Sequence, residues 1–281
     1  MSFSDVKFDT LSQSNCWDTY WKWYNLLNPD ANPWEPGRRN LYRGVIKLFG
    51  NRDGLAFLDA SCGVGESTLL LASKGLDVDA CDSSGVAIEQ AKLRLTCAGF
   101  TGTLFEAKWE ALPEVAPRKY DVILNDALSW IVGVEAFQKS LMGFRPILKP
   151  GGTLAFIGAA SHRPDSGFGM QLLREAWERL ESERVKLVES RFVSGLSVSH
   201  IVTRELGTDF IDENHLYLIT EQGVPRLEFT TIRKPYTWDW PKLVTLFREA
   251  GFTKIDCVEV EIEGRNVILN LACTTDEPPA R

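Results

Sequence analysis

Apolar and polar positions along this chain follow two alternating periods. Short apolar runs at residues 55–59, 77–81, 102–105, 120–125 and 153–158 predict strands. Between them, segments of helical period at 67–74, 86–98 and 134–148 predict helices, and an amphipathic helix over 38–48 leads into the first strand. Such alternation calls for a parallel sheet with right-handed helical crossovers. The pattern then changes. A long helix over 169–182 precedes strand character at 192–206, 215–220 and 226–233, with Glu221-Gln222-Gly223 as a hairpin turn between the last two. These strands read as an antiparallel insertion. A helix over 240–250 stops at Gly251, and strands over 254–261 and 266–272 meet at Glu263-Gly264.

The first 37 residues form a separate piece, helix-prone and dense in aromatics. Trp17, Tyr20, Trp21 and Tyr24 follow helical spacing, which fits one packed amphipathic helix as well as a lid over a site. Asn28-Pro29-Asp30-Ala31-Asn32-Pro33 breaks the chain after them. The expected organisation is an aromatic lid over 1–37, a core domain over 38–160 and 236–275, and an insertion over 161–235. The insertion is placed to form an acceptor site or to pair subunits in a homo-oligomer.

The chain has 281 residues, 44% hydrophobic and 25% charged, which suits one large α/β domain with elaborations or two small domains. A net charge of -7 argues against a nucleic-acid backbone as partner. Six cysteines lie scattered without C-x-x-C pairs, so they read as small buried hydrophobes in a reducing cytoplasm, with no metal site. No run approaches the ~18 apolar residues of a membrane span, and Met1 to Thr10 lacks the pattern of a signal peptide.

The candidate chemistry begins at Asp59-Ala60-Ser61-Cys62-Gly63-Val64-Gly65, a glycine turn between the first strand and its helix. Asp82 ends the second strand, 23 positions after Asp59. Strand, glycine turn, helix, strand and terminal acid make one nucleotide-binding half of a doubly wound sheet, in which the acid takes ribose hydroxyls. A dinucleotide fold wants a third small residue where Thr68 stands, and no Gly-Lys-Ser/Thr follows for a P-loop. A plain strand-to-helix turn is the structural alternative.

The turn resembles the first motif of class I S-adenosylmethionine-dependent methyltransferases, acid-x-G-x-G-x-G, with Ser61 in place of the first glycine. The closing helix, strand, hairpin and strand resemble the end of that fold. The resemblance implies a doubly wound, mostly parallel seven-stranded Rossmann-like sheet, carrying here an antiparallel insertion and an N-terminal helical lid. D-A-S-C-G-V-G, Glu106-Ala107-Lys108-Trp109, and Arg38 four residues before Tyr42 look closest to the glycine N-methyltransferase-like small-molecule branch.

By that resemblance the cofactor is S-adenosylmethionine, held by Asp59, Ala60, Ser61 and Gly63 at the turn and by Asp82 and Ser83 at the ribose. Arg38 would pair with the cofactor carboxylate, Lys108 and Trp109 would meet the adenine, and Asn125 would offer an acceptor to the ammonium. Tyr20 is set against the cofactor and Trp21 against the acceptor. Asn125 to Trp130 follows the fourth strand, at the carboxyl end where ligands bind. Asp126 is the candidate proton acceptor there, unless Asn125-Asp126 only caps the next helix. Trp130 would wall the acceptor pocket, and Arg163 would anchor a carboxylate, unless it is a solvated loop arginine. His200 and His215 read as packed polar residues. The expected reaction is in-line methyl transfer to the amine of a small molecule, an amino acid or related amine. An O- or S-methyltransferase on a small natural product and a non-catalytic S-adenosylmethionine-binding protein are the alternatives.

Overall fold

A computed structural model describes residues 16–28, 36–156, 184–207, 210–235 and 240–274, and every statement below concerns these. Seven strands form the main sheet: β1 (Ala56–Asp59), β2 (Asp77–Asp82), β3 (Leu104–Glu106), β4 (Tyr120–Asn125), β5 (Leu148–Phe156), β10 (Lys254–Ile262) and β11 (Arg265–Cys273). Their order is β10-β11-β5-β4-β1-β2-β3. The pairs among β1 to β5 are parallel, and β11 alone runs against its neighbours β5 and β10. This is the Rossmann-like arrangement expected for the core.

The strands alternate their apolar side chains between two cores, as period 2 requires. Leu58, Ile123, Leu154 and Phe156 face one layer with α6 (Val134–Ile147) and α7 (Trp240–Glu249). Phe57, Val122, Leu124 and Ala155 face the other, with α2 (Pro36–Phe49) and α3 (Glu66–Ala72). Burial on both faces explains why these strands read as continuous apolar runs.

Four further strands form a separate antiparallel sheet in sequence order: β6 (Val185–Val193), β7 (Leu196–Leu206), β8 (Phe210–Glu221) and β9 (Val224–Pro235). The single strand expected over 192–206 is instead a hairpin. Ser194 and Gly195 both take positive φ, 49° and 82°, and Ser-Gly supplies the tight turn. Gln222-Gly223 turns the same way, at 50° and 82°, as the hairpin reading requires. β5 also begins earlier than expected. Its register with β4 jumps between Tyr120↔Leu148 and Val122↔Thr153, so Pro150-Gly151-Gly152 is absorbed as an irregularity within the strand. The expected helix over 169–182 lies outside the described residues.

Helix α1 (Cys16–Leu27) lies against the antiparallel sheet on one side and against the glycine turn and the helix after β2 on the other. Trp23 and Leu27 pack on Val198, Tyr217 and Ile219 of the antiparallel sheet. Trp21, with Trp17, Tyr20 and Tyr24, packs on Val64 and on Val86 and Ala87 of α4 (Gly85–Cys97). Polar contacts hold it on each side. Trp23 Nε1 donates to Glu228 at 2.9 Å and Lys22 pairs with the same carboxylate at 2.7 Å. On the α4 side, Gln90 donates to the Trp21 carbonyl at 2.8 Å and Arg94 to Asn25 at 3.0 Å.

Of the six cysteines, Cys62, Cys81 and Cys273 are buried as expected, whereas Cys97 is exposed. None forms a disulfide. No helix among the described residues is long and apolar enough to cross a membrane.

Candidate functional site

The carboxyl ends of β1, β2 and β4 lie side by side, and ligands of open α/β sheets bind at such ends. After β1 the chain turns through Gly63 (φ 52°) and Gly65 (φ 85°), a conformation that side chains disfavour. Gly65 also lets the turn approach α4, since a Cβ there would meet Ala91 and Leu95 at 3.2 Å.

Asp59 is fully buried beneath this turn. Its oxygens accept from the Tyr42 hydroxyl at 3.1 Å and the Thr68 hydroxyl at 2.8 Å. Burial pushes its carboxyl up to about 6, with the hydroxyl donors pulling the other way. The side chain therefore braces strand, turn and helix from within. Thr68, which stands where a dinucleotide turn needs a small residue, is one of those braces.

The next three groups form the edge of the candidate donor site. Asp82 accepts from the Gly63 N–H at 2.9 Å through one oxygen and the Ser84 N–H at 3.0 Å through the other. Ser84 caps α4 and donates to Asp18 of α1 at 2.5 Å. Half-buried Ser83 lies between the two. Trp109, in a 3-10 turn after β3, donates its indole N–H to the Ala60 carbonyl at 2.5 Å and packs its ring against Phe144. Gly143 of α6 permits this: a Cβ there would lie 1.9 Å from the Trp109 carbonyl oxygen. Lys108 is exposed.

After β4, Asn125 is fully buried and its side-chain oxygen accepts from the Ala127 N–H at 2.9 Å. That oxygen makes one hydrogen bond, and the amide nitrogen has no hydrogen-bond partner. The side chain consequently offers a ligand a donor. Asp126 is buried, and its N–H donates to the Ser61 hydroxyl at 3.0 Å. The sequence reading set Ser61 against the cofactor, in the place of a glycine, and missed this bridge.

The aromatic helix covers these groups. Trp21 lies on the glycine turn, where a Cβ on Gly63 would meet its ring at 2.8 Å. Trp17 stacks on Trp130 with centroids 5.7 Å apart and planes at 19°. Trp21, expected on the acceptor side, is therefore at the donor turn, and Trp17 holds the place beside Trp130. Tyr20 lies between them, edge-on to Trp17, Trp21 and His215. Lys234 of β9 extends its ammonium over the Trp130 ring at 4.3 Å. Arg38 is in the first turn of α2, with its side chain outside the described residues, and Arg163, His162, Tyr236 and Trp238 also lie outside them.

The groups at these strand ends fit S-adenosylmethionine: a carboxylate at Asp82 for a ribose, an unpartnered donor at Asn125 and a flat indole at Trp109. The fold is that of class I methyltransferases, and the comparisons agree with it. Residues 57–152 match the family model described as a methyltransferase domain. An uncharacterized methyltransferase, YodH of Bacillus subtilis (strain 168), is 26% identical over 129 residues, 46% of this chain and 54% of that protein. The match thus spans about half the length of that curated relative. A crystal structure of an S-adenosylmethionine-dependent methyltransferase from Clostridium acetobutylicum ATCC 824 shares the fold at TM-score 0.61 and 15% identity, covering 92% of this chain and 99% of that one. The sugar N-methyltransferase KedS8 from Streptoalloteichus sp ATCC 53650 shares it at TM-score 0.62 and 13% identity, covering 97% and 98%. Residues 57–152 thus carry a methyltransferase domain.

Proposed function

We propose that this protein transfers a methyl group from S-adenosylmethionine to the amine nitrogen of a small molecule, an amino acid or related amine. The observation that carries this reading is the Asn125–Trp130 loop. It follows β4 beside the glycine turn, is tied to that turn through Ser61, and is covered by an aromatic helix. The cofactor supplies an electrophilic methyl group and its leaving group. The chain's task is to align the acceptor with that carbon and to exclude water.

In this reading Ala60, Ser61 and Gly63 bring backbone to the donor, Asp82 and Ser83 take the ribose, and Lys108 and Trp109 flank the adenine. Arg38, Asn125 and Tyr20 serve the amino-acid end, while Asp59 acts from behind as a brace. Asp126 receives the proton that the amine loses. Trp130 and Arg163 shape the acceptor side, and Trp21 covers the glycine turn. Membership in the glycine N-methyltransferase-like branch rests on the D-A-S-C-G-V-G turn and on Glu106-Ala107-Lys108-Trp109. The shared fold with a protein named as a sugar N-methyltransferase favours nitrogen over oxygen or sulfur. The reading places the protein in the cytoplasm, acting on a free small molecule.

The test is adenosylhomocysteine formation with panels of amines, phenols and thiols. Turnover of amines alone is expected. Turnover only with phenols or thiols overturns the choice of nitrogen, and tight donor binding without turnover on any panel overturns the catalytic reading.

A further inference from the structure

The reading above leaves unused a buried polar cluster on the insertion sheet. His200 of β7 and His215 of β8 point to the same face, because their strand partners are Tyr217 and Val202 respectively. They are 8% and 6% exposed. His200 Nε2 and His215 Nδ1 are 3.0 Å apart, one ring donating to the other. The rings are stacked at 20°, and His200 stacks in turn on Tyr217 at 12°. Both imidazoles are therefore held in plane and in place.

Beside them, Glu213 accepts from Arg204 at 2.9 Å through Oε1 and from Lys234 at 2.6 Å through Oε2. Burial opposes its charge, but the two cations outweigh burial and hold its carboxyl at about 2. Burial pushes His215 down to about 3 and His200 to about 4, against the pull of Glu213. At neutral pH the pair is thus uncharged next to a carboxylate, which suits hydrogen bonding better than proton storage.

His215 Nε2 is buried without a hydrogen-bond partner, 3.9 Å from Glu213 Oε2. A carboxylate at that distance favours the tautomer with hydrogen on Nε2, His200 then donating to Nδ1. The result is a donor with no acceptor beside an oxygen with a spare lone pair, too far apart to satisfy each other. One hydroxyl completes the gap, accepting from Nε2–H and donating to Oε2 at ordinary lengths of about 2.8 Å. An ammonium cannot accept the first bond.

The gap adjoins the acceptor side. Tyr20 of α1 packs its ring edge on His215 at 5.2 Å, and Lys234 joins Glu213 to the Trp130 ring. We propose that His215 Nε2 and Glu213 Oε2 form a two-point subsite for a hydroxyl group of the acceptor, which makes the acceptor an amino alcohol. His200 is a positioning residue that sets the tautomer. Nitrogen as the methylated atom rests on the function proposed above, whereas the hydroxyl subsite does not.

The test compares trans-2-aminocyclohexanol with cyclohexylamine as acceptors. The wild type is expected to prefer the amino alcohol by about ten- to a hundredfold in kcat/KM, mostly through KM. His215→Phe should shrink the preference to within about threefold with donor affinity unchanged, and His215→Gln, which keeps a donor, should restore part of it. Independently, wild-type protein with 15N-labelled histidine, loaded with adenosylhomocysteine, is titrated with trans-1,2-cyclohexanediol and with cyclohexylamine. The His215 Nε2 resonance should move with the diol and not with the amine. A resonance indifferent to the diol, or a preference that survives His215→Phe, overturns the subsite. A diol-sensitive resonance with no amine turned over upholds the subsite and overturns the amine reading instead.

Discussion

The hydroxyl of Ser61 accepts the backbone N–H of Asp126 at 3.0 Å, tying the donor turn to the loop after β4. A glycine at this position, usual in the motif, has no group to make that bond. Ser61→Ala should leave the fold intact but free the Asp126 backbone by a fraction of an ångström. We expect kcat to fall about tenfold with little change in donor affinity, because alignment is the step affected. Steady-state kinetics with isothermal calorimetry on the donor checks the split. Equal losses in both would show that the bond serves donor binding instead.

Gly63→Ala meets two obstacles, a positive φ and the Trp21 ring at 2.8 Å from the new Cβ. The αL strain alone is about 1 kcal/mol. The larger effect should be displacement of α1, seen as a shift in tryptophan emission and at least tenfold weaker donor binding. Adding Trp21→Ala should recover part of the emission change by removing the collision. An unshifted spectrum in Gly63→Ala would mean that Trp21 does not rest on the turn.

Asp59 gives stability a defined pH dependence. Its folded carboxyl, at about 6, lies above its ordinary 3.8, so between these values the folded state holds the extra proton. Its contribution is greatest below about pH 4 and is lost as pH rises through about 6, up to about 3 kcal/mol. Asp59→Asn keeps an acceptor for Tyr42 and Thr68 and carries no charge. Its melting temperature relative to wild type should therefore rise from pH 4 to pH 7. A difference that is flat across this range would place the carboxylate in a more favourable setting than the burial implies.

Glu228 anchors α1 through both Lys22 and Trp23. Glu228→Ala should loosen that helix while the main sheet stays intact, costing about 1–2 kcal/mol at the contact. Hydrogen exchange over residues 16–27 should speed up and acceptor KM should rise severalfold. Exchange unchanged there would mean that the apolar contacts of Trp23 and Leu27 suffice.

Much of the main sheet was readable because its strands are buried on both faces and its turns carry their own chemistry. The strand over 120–125 matches residue for residue. The edges of the insertion were less legible. Ser194-Gly195 hides a hairpin within a run whose apolar residues continue on both sides. Among the candidate site residues, the glycine turn and Asp82 stand out by spacing. The partners of Asp59 did not, since Tyr42 and Thr68 approach it from different helices.

By itself the sequence determined the local facts: where the period changes from 2 to 3.6, where φ must be positive, and where the glycine turn follows the first strand. Each depends on residues within a few positions of one another. Only the tertiary structure decided that Trp21 covers Gly63 while Trp17 stacks on Trp130. Helical spacing puts both on one face and cannot say which surface each meets. The same holds for His215 and Glu213. Strand pairing and the burial of α1 bring an unpartnered donor beside a charged acceptor, a relation between distant segments that no local pattern encodes.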